Sequence, residues 1–510
     1  MYRSLLSVGG FTLLSRLSGF GRDLMLAAIL GAGVLNDAFV VAFRLPNQFR
    51  QIFGEGAFNT AYVPSYTRVL ATEGDDEARR FSSQIFTLLL ASQLVLLALA
   101  YAFTSRFVAL MAPGFEADPE KFALAVHMTR ITFPYLLFIT LVTLHSGTLN
   151  AHGRFAAAAF APVLLNLAIM GFLAVAFLFP NAGEAASWGV LVSGVAQLAL
   201  VGGAARRLGL LETLAWPRMD AALRQFFRRL GPAIIGSAGV QIAIFADTII
   251  ASMLPTGAVS SINYAERLYQ LPIGVIGIAA GTVLLPEMSR RLARGDGGGA
   301  SHAQNRTMAI TLALSAPFFV AFLMIPGLVT RAAFLRGAFT AEAAANSAAV
   351  LAAYGLGLMP IVLIRSAVAS FQARGDTTTP MIIALGAIAI NVALKVALYQ
   401  TYGAVGIALA TAVGAWINLG GLVVLALRRG WMRPDLSLAE VAAATFCAGG
   451  LLALAVALSA APALAFAQSL PRLRNETQLL LLAAIGGFVY AGVLVVGLKA
   501  LGVSFKRRRA

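Results

Sequence analysis

The sequence predicts an all-α fold: a polytopic membrane protein of about fourteen transmembrane helices, arranged as two pseudo-symmetric six-helix lobes with a C-terminal helix pair. Three observations carry this expectation. Of the 510 residues, 59% are hydrophobic and only 12% charged, with a mean hydropathy of +0.82; a water-soluble core of this size carries more charge. Apolar stretches of about 17 to 25 residues recur along the whole chain, broken by Gly, Pro or clustered charge. Uncommon polar residues then reappear at a fixed offset, marking an internal repeat.

Taken in order, the spans fall near 7–31, 34–62, 80–104, 123–149, 156–179, 186–205, 230–254, 258–286, 305–327, 346–372, 379–401, 403–427, 438–461 and 476–502. Helices are the expected form, because lipid offers no partner for backbone N–H and C=O groups and each span must bond internally. The first stretch follows Arg3 as a signal peptide would, but it carries Arg16, Arg22 and Asp23 and runs too long, so it reads as a retained helix.

Arginine placement sets the expected orientation, since cytoplasmic loops carry excess Lys and Arg. With both termini cytoplasmic, the inner loops hold Arg68, Arg79 and Arg80, then the group from Arg206 to Arg229, then Arg290, Arg291, Arg294 and Arg306, then Arg428, Arg429 and Arg433, and the tail KRRR. The outer loops hold chiefly Lys121, Arg331, Arg336, Arg472 and Arg474. The formal charge of +16 is thus topological, and no basic soluble domain exists to bind nucleic acid. Cys447, the single cysteine, lies in an apolar segment and reads as a buried, inert thiol.

The repeat has an offset of about 222 to 226 residues, a device common in transporters. Asp23 matches Asp247, Arg44 matches Arg267, YVPSYTR matches LLPEMSR, Pro134 matches Pro360, and Gly153 matches Gly375. Six spans per unit give both repeats one topology, related by an axis along the membrane normal. The expected divisions are 1–215 (spans 1–6), 216–430 (spans 7–12), and 431–510, the helix pair with its basic tail. A substrate site is expected between the lobes.

Charges at bilayer depth are the functional clue, because each costs about 2.5 to 3.5 kcal/mol on insertion scales and faces a bundle interior or a cavity. In span 1, Thr12, Arg16, Gly19 and Asp23 share a face, and Gly19-Phe20-Gly21 offers a place to bend. In span 2, Asp37, Arg44, Gln48, Gln51 and Glu55 form a stripe interrupted by Pro46, with Arg50 following. In span 8, Asn263, Arg267, Gln270 and Gly274 make a similar face, with Glu266 beside Arg267. Basic interior residues (Arg16, Arg22, Arg44, Arg50, Arg130, Arg267, Arg365, Lys395) outnumber acidic ones (Asp23, Asp37, Asp247, Glu55, Glu266). Such a cavity favours phosphate or carboxylate, and arginine grips phosphate oxygens through paired N–H groups.

Blander readings apply elsewhere. Arg106, Lys121 and Lys499 near span ends read as snorkelling side chains. Asp75-Asp76 reads as a solvated turn, His145 as a packed or hydrogen-bonded histidine, and the four histidines lack metal-ligand spacing. A membrane glycosyl- or phosphotransferase would need clustered carboxylates at a membrane face, and the sequence offers none, so the chain reads as a transporter and not an enzyme.

The strings SRLSGFGRD, NDAFVVAFRLPNQFRQIFGEGAFNTAYVPSY and NYAERLYQLPIGVIGIAAGTVLLPEMSR resemble the MurJ (MviN) family of bacterial lipid II flippases, within the multidrug/oligosaccharidyl-lipid/polysaccharide exporter superfamily. The resemblance covers nearly the whole chain. It implies fourteen spans in two lobes, a central cationic cavity, and an extra helix pair forming a groove for the polyprenyl tail. The implied substrate is undecaprenyl-pyrophosphate bearing a disaccharide-pentapeptide, moved from the cytoplasmic to the periplasmic leaflet of the inner membrane. Carried over by motif, the cavity residues are Ser15, Arg16, Arg22, Asp23, Asp37, Asn47, Arg50, Glu55 and Arg267, joined by Glu266 from the span 8 face. Sodium-binding relatives use a span 7 carboxylate with partners in spans 11 and 12; Asp247 and Asn391 fit, while Lys395 brings a cation of its own. No cofactor is expected beyond coupling to membrane potential, proton or sodium. The expected partners are lipid II, membrane lipids and cell-wall synthesis proteins, with the chain acting as a monomer. A flippase for another polyprenyl-linked glycan, such as an O-antigen unit, would need the same cavity; a cation exporter would need an acidic one.

Overall fold

A computed structural model describes residues 2–54, 57–470 and 473–502, and among these every regular element is helical. The helices are α1 (Tyr2–Leu30), α2 (Val34–Gly54), α3 (Ala57–Glu73), α4 (Asp75–Ala102), α5 (Thr104–Met111), α6 (Pro119–Thr132), α7 (Tyr135–Ala151), α8 (Ala156–Ala174), α9 (Ala182–Arg207) and α10 (Ala221–Ser252). They continue as α11 (Ala258–Pro272), α12 (Ile278–Ala293), α13 (Gly297–Met324), α14 (Pro326–Phe334), α15 (Ala341–Gly355), α16 (Leu358–Gln372), α17 (Thr378–Arg428), α18 (Leu436–Ala467) and α19 (Arg474–Ala500).

Among the described residues, nine helical stretches are long and apolar enough to cross a membrane. This is compatible with the expected fourteen spans. One stretch, α17, runs 51 residues and breaks at Gly403 (φ 56°, ψ −136°), since a straight helix of that length would be about 77 Å long against a hydrocarbon core of about 30 Å. Expected spans 1, 2, 7 and 8 are also helical and carry the charged residues. Span 8 is not one helix: after Pro272 a π-turn at Ile273–Gly277 separates α11 from α12. That extra residue per turn shifts Gly274 off the regular spacing that grouped it with Asn263, Arg267 and Gln270.

Two compact units result. The first comprises residues 1–260 with 336–339, and the second 261–335 with 340–510. In the first, α1 packs on α8, α8 on α9, α2 on α6, α7 on α9 and α3 on α10. In the second, α18 and α19 pair and dock on α13, while α16 packs on α17 and α13. The division falls after Ser260 and not at 215, because α10 lies against α3 and the α5–α6 turn. The sequence repeat itself and its lobe boundaries concern which spans correspond, which this packing division does not address.

The glycines explain the first unit's extent. A Cβ on Gly114 would meet the Ser252 carbonyl oxygen at 2.1 Å, and a Cβ on Gly337 would meet that of Ala28 at the same 2.1 Å. The two contacts are one repeat offset apart, so each hairpin turn abuts the C-terminal end of the other repeat's first helix. Ala338 N–H donates to the Ala28 carbonyl at 2.8 Å, and Gly114 N–H to Ser252 Oγ at 3.2 Å. The α7 and α16 ends also match: Gly153 (φ 72°) and Gly375 (φ 79°) are left-handed, and each is followed by an N–H that reaches five residues back, Arg154 to Leu149 and Asp376 to Phe371.

Two expectations are corrected. Cys447 is exposed on α18, because hydropathy alone cannot separate a lipid-facing position from an interior one. Lys121 does not snorkel; it is 3% exposed.

Candidate functional site

Helix α1 runs unbroken through Gly19 and Gly21. The glycines serve close packing instead of a bend: a Cβ on Gly19 would lie 3.5 Å from Asn166 Nδ2, and one on Gly21 3.8 Å from the Met170 methyl. Asn166, on α8, is 4% exposed and organises this stretch. Its Nδ2 donates to the Ser15 carbonyl (3.0 Å) and Ser18 Oγ (2.9 Å), while its Oδ1 accepts from Arg22 Nη1 at 3.1 Å. Arg22 also donates through Nε (3.0 Å) and Nη2 (2.7 Å) to Asp23 Oδ1. Arg22 and Asp23 are 8% and 7% exposed. The adjacent pair is therefore a buried fork, three of whose five N–H groups are used. Arg16, nearly two turns earlier, is exposed.

Asp37 sits apart from this group. It is fully buried, and its carboxylate accepts from Lys121 Nζ (2.8 Å), Gly257 N–H (2.8 Å), Ser260 N–H (2.9 Å) and Ser260 Oγ (2.5 Å). Lys121 Nζ lies 4.2 Å from the Phe115 ring centre. Asn36 Nδ2 adds a bond to Ser260 Oγ at 2.8 Å. Every oxygen lone pair of Asp37 has a structural claim on it.

Further along α2, Arg44 Nε donates to Thr248 Oγ1 on α10 at 2.8 Å, and Arg50 Nη2 to Asn47 Oδ1 at 3.3 Å. Arg50 lines a cavity of about 290 Å³ within the first unit, shared with Thr12, Asn59, Ser146, Asn150 and Gln197. Ile139, Val142, Phe155 and Pro162 also line it, so one guanidinium with a few hydroxyls and amides stands in a mostly apolar wall. Glu55 lies outside the described residues. Asp247, on α10, is half-buried.

In the second unit, Glu266 and Arg267 are half-buried on α11, and Glu266 Oε1 accepts from Gln270 at 2.8 Å. Asn391 donates to the Ala410 carbonyl at 3.1 Å across the Gly403 break, and Lys395, one turn along, is 1% exposed. A separate apolar cavity of about 260 Å³ opens between α13 and α18, lined by Leu312, Phe319, Leu323, Met359, Phe446 and Ala453.

The structure therefore joins Ser15, Arg22 and Asp23 through Asn166, joins Asn47 to Arg50, and seats Asp37 elsewhere on Lys121. Sequence reasoning missed Asn166 and the partner role of Lys121. The first sits in an otherwise apolar α8, where a lone buried amide signals interhelical bonding; the second was masked by its place at a span end. Among the described residues no cluster of His, Cys, Asp and Glu could hold a metal ion.

Comparison with known proteins completes the picture. The family model described as "Lipid II flippase MurJ" matches residues 26–472. A "Probable lipid II flippase MurJ" of Rhizobium meliloti (strain 1021) is 42% identical over 85% of this chain and 82% of its own. A "Lipid II flippase MurJ" of Burkholderia cenocepacia is 35% identical over 85% and 86%. Among solved structures, a lipid II flippase MurJ in an inward closed conformation aligns over 97% of this chain and 99% of its own (TM-score 0.79, 23% identity). An inward-facing MATE family multidrug transporter of the MOP superfamily shares the fold over 84% and 98% (TM-score 0.69, 14% identity). On the family match and these identities, the chain belongs to the MurJ family of lipid II flippases.

Proposed function

We propose that this protein moves lipid II from the cytoplasmic to the periplasmic leaflet of the bacterial inner membrane by alternating access, with both termini cytoplasmic. The observation that carries the reading is the Arg22 fork. Asp23 and Asn166 fix the guanidinium at low exposure, and two N–H groups remain to meet pyrophosphate oxygens. Arg16, Arg50 and Arg267 are the further cations of the clamp, Asn47 bonds Arg50, and Glu266 bonds Gln270 beside Arg267. The polyprenyl tail stays in lipid along α18 and α19, and the apolar cavity beside α18 suits its isoprenyl units. No bond is made or broken.

The family is one of transporters, so the energetic question is what biases the cycle. Membrane potential supplies about 2.3 kcal/mol per charge per 100 mV. By the resemblance, Asp247 is the carboxylate at which a coupling sodium ion or proton would bind, and Asn391 and Lys395, one turn apart on α17, are the further groups implied in coupling. Substrate must bind the inward and outward states unequally to drive either transition.

The test is translocation of labelled lipid II in proteoliposomes, read as headgroup accessibility to an externally added degrading enzyme. Protein-dependent accessibility that Arg22→Ala abolishes is the expected result. Native-level flipping by Arg16→Ala, Arg22→Ala and Arg267→Ala would sink the arginine clamp. Transport of a different polyprenyl-linked glycan in place of lipid II would change the substrate and leave the clamp standing.

A further inference from the structure

We propose that His145 and Glu212 form a proton-binding site that latches the connector 208–220, between α9 and α10, onto the interior of the first unit. The connector is not helical. It lies along α4, with Thr213 N–H donating to Ser83 Oγ (3.2 Å) and Ala215 N–H to Thr87 Oγ1 (3.0 Å), acceptors one helical turn apart. From it Glu212 reaches inward against α7, its side chain wholly inaccessible. Neighbouring Leu214 and Trp216 face outward, 72% and 86% exposed.

The contact distances assign the proton. Glu212 Oε1 accepts from Thr148 Oγ1 at 2.9 Å, and the Thr148 hydroxyl lies 2.7 Å from that of Tyr62. Glu212 Oε2 lies 2.5 Å from His145 Nδ1, and neither atom makes a hydrogen bond, to the other or to a third group. An imidazole lone pair and a carboxylate lone pair repel at that separation, so the pair holds one proton and is an imidazolium beside a carboxylate. The alignment is off the ideal for a hydrogen bond, and the attraction is mainly that of an ion pair.

Little else can compensate either charge. Phe86 of α4 stacks on the His145 ring at 6.2 Å, and Gly202 of α9 faces its other edge. From α3, Tyr66 bonds His152 Nε2 at 3.0 Å, and burial, then the charges of Glu212 and Asp75, push its hydroxyl up to about 12. Arg79 of α4 also acts on Tyr66. From α10 the nearby group is apolar, Phe226 against Tyr62. One shared proton therefore suits the site and two or none do not. Losing it leaves a buried carboxylate without a cation; gaining a second leaves a buried imidazolium facing a neutral acid. Breaking a buried pair from one side is strongly destabilising, so both changes loosen the connector.

The experiment is amide hydrogen exchange of the full-length protein in nanodiscs, following the connector from acidic to alkaline pH against an unstructured reference peptide. It needs no substrate, so its outcome is independent of the lipid II assignment. Protection at Thr213 and Ala215 is expected to peak at an intermediate pH and fall by up to about tenfold per pH unit on either flank, as one-proton linkage requires. In His145→Gln/Glu212→Gln the profile becomes flat, whereas Ser83→Ala lowers protection but keeps the peak. A flat profile in the native protein overturns the proposal whether or not the variants fold. So does an unchanged peak in the double variant.

Discussion

Lys121 Nζ lies 2.8 Å from Asp37 Oδ2, with side-chain exposures of 4% and 0%. A lysine at a span end has thus turned inward to neutralise a carboxylate whose other partners are the N–H groups of Gly257 and Ser260.

Removing one member of that pair leaves the other charged and buried. Lys121→Met should destabilise the protein by about 3–5 kcal/mol, read as a lower thermal midpoint in detergent. Asp37→Asn in the same chain should recover most of the loss. If Lys121→Met alone unfolds at the native temperature, the pair is not structural.

Asn166 holds Arg22 and the Ser15 turn together. Asn166→Ala should cut flipping roughly ten- to a hundredfold, in line with about 1.5–3 kcal/mol for a hydrogen bond to a charged group. Membrane insertion should be normal. Arg22→Lys should rescue little, because an ammonium cannot reproduce the fork. Native flipping by Asn166→Ala would show that Asp23 alone positions the guanidinium.

Gly114 and Gly337 each face backbone at 2.1 Å from a built Cβ, whereas Gly153 and Gly375 open onto free space; Gly153, Gly375 and Gly337 all have positive φ. Alanine at either of the first pair should therefore force backbone apart and lower folded yield severely. At either of the second it should cost only the left-handed penalty, about 1–2 kcal/mol. Expression and size-exclusion profiles of the four variants rank them; equal yields would contradict the close approach.

At the start of α17, Asp376 Oδ1 accepts from Thr379 N–H at 2.9 Å and Oδ2 from Arg429 at 2.7 Å. The Thr379 hydrogen bonds, then Arg429, hold its carboxyl down at about 2. A depressed folded value contributes stability above the unfolded carboxyl value, and that contribution is lost as pH falls toward about 2. Asp376→Asn should lower the thermal midpoint near neutral pH, and the difference from native should shrink with acidification. A difference that grows in acid would reverse the sign of this assignment.

Much of this was legible in the chain. Hydropathy and the repeat gave the helical membrane fold because lipid allows few alternatives, and matched glycines at 153 and 375 mark helix ends by their backbone requirement alone. Arg22 and Asp23 stood out because charge at bilayer depth is costly. What one dimension could not carry was partnership. Asn166 lies 144 residues from Arg22, Lys121 lies 84 from Asp37, and Glu212 lies 64 from Thr148. Periodicity reports which face a residue occupies, whereas burial and charge pairing depend on which helix arrives opposite. The sequence by itself determined the class of fold and the identity of the costly charges. Only the tertiary structure decided which of them are neutralised in place, because that depends on distances of a few ångströms between segments far apart in the chain.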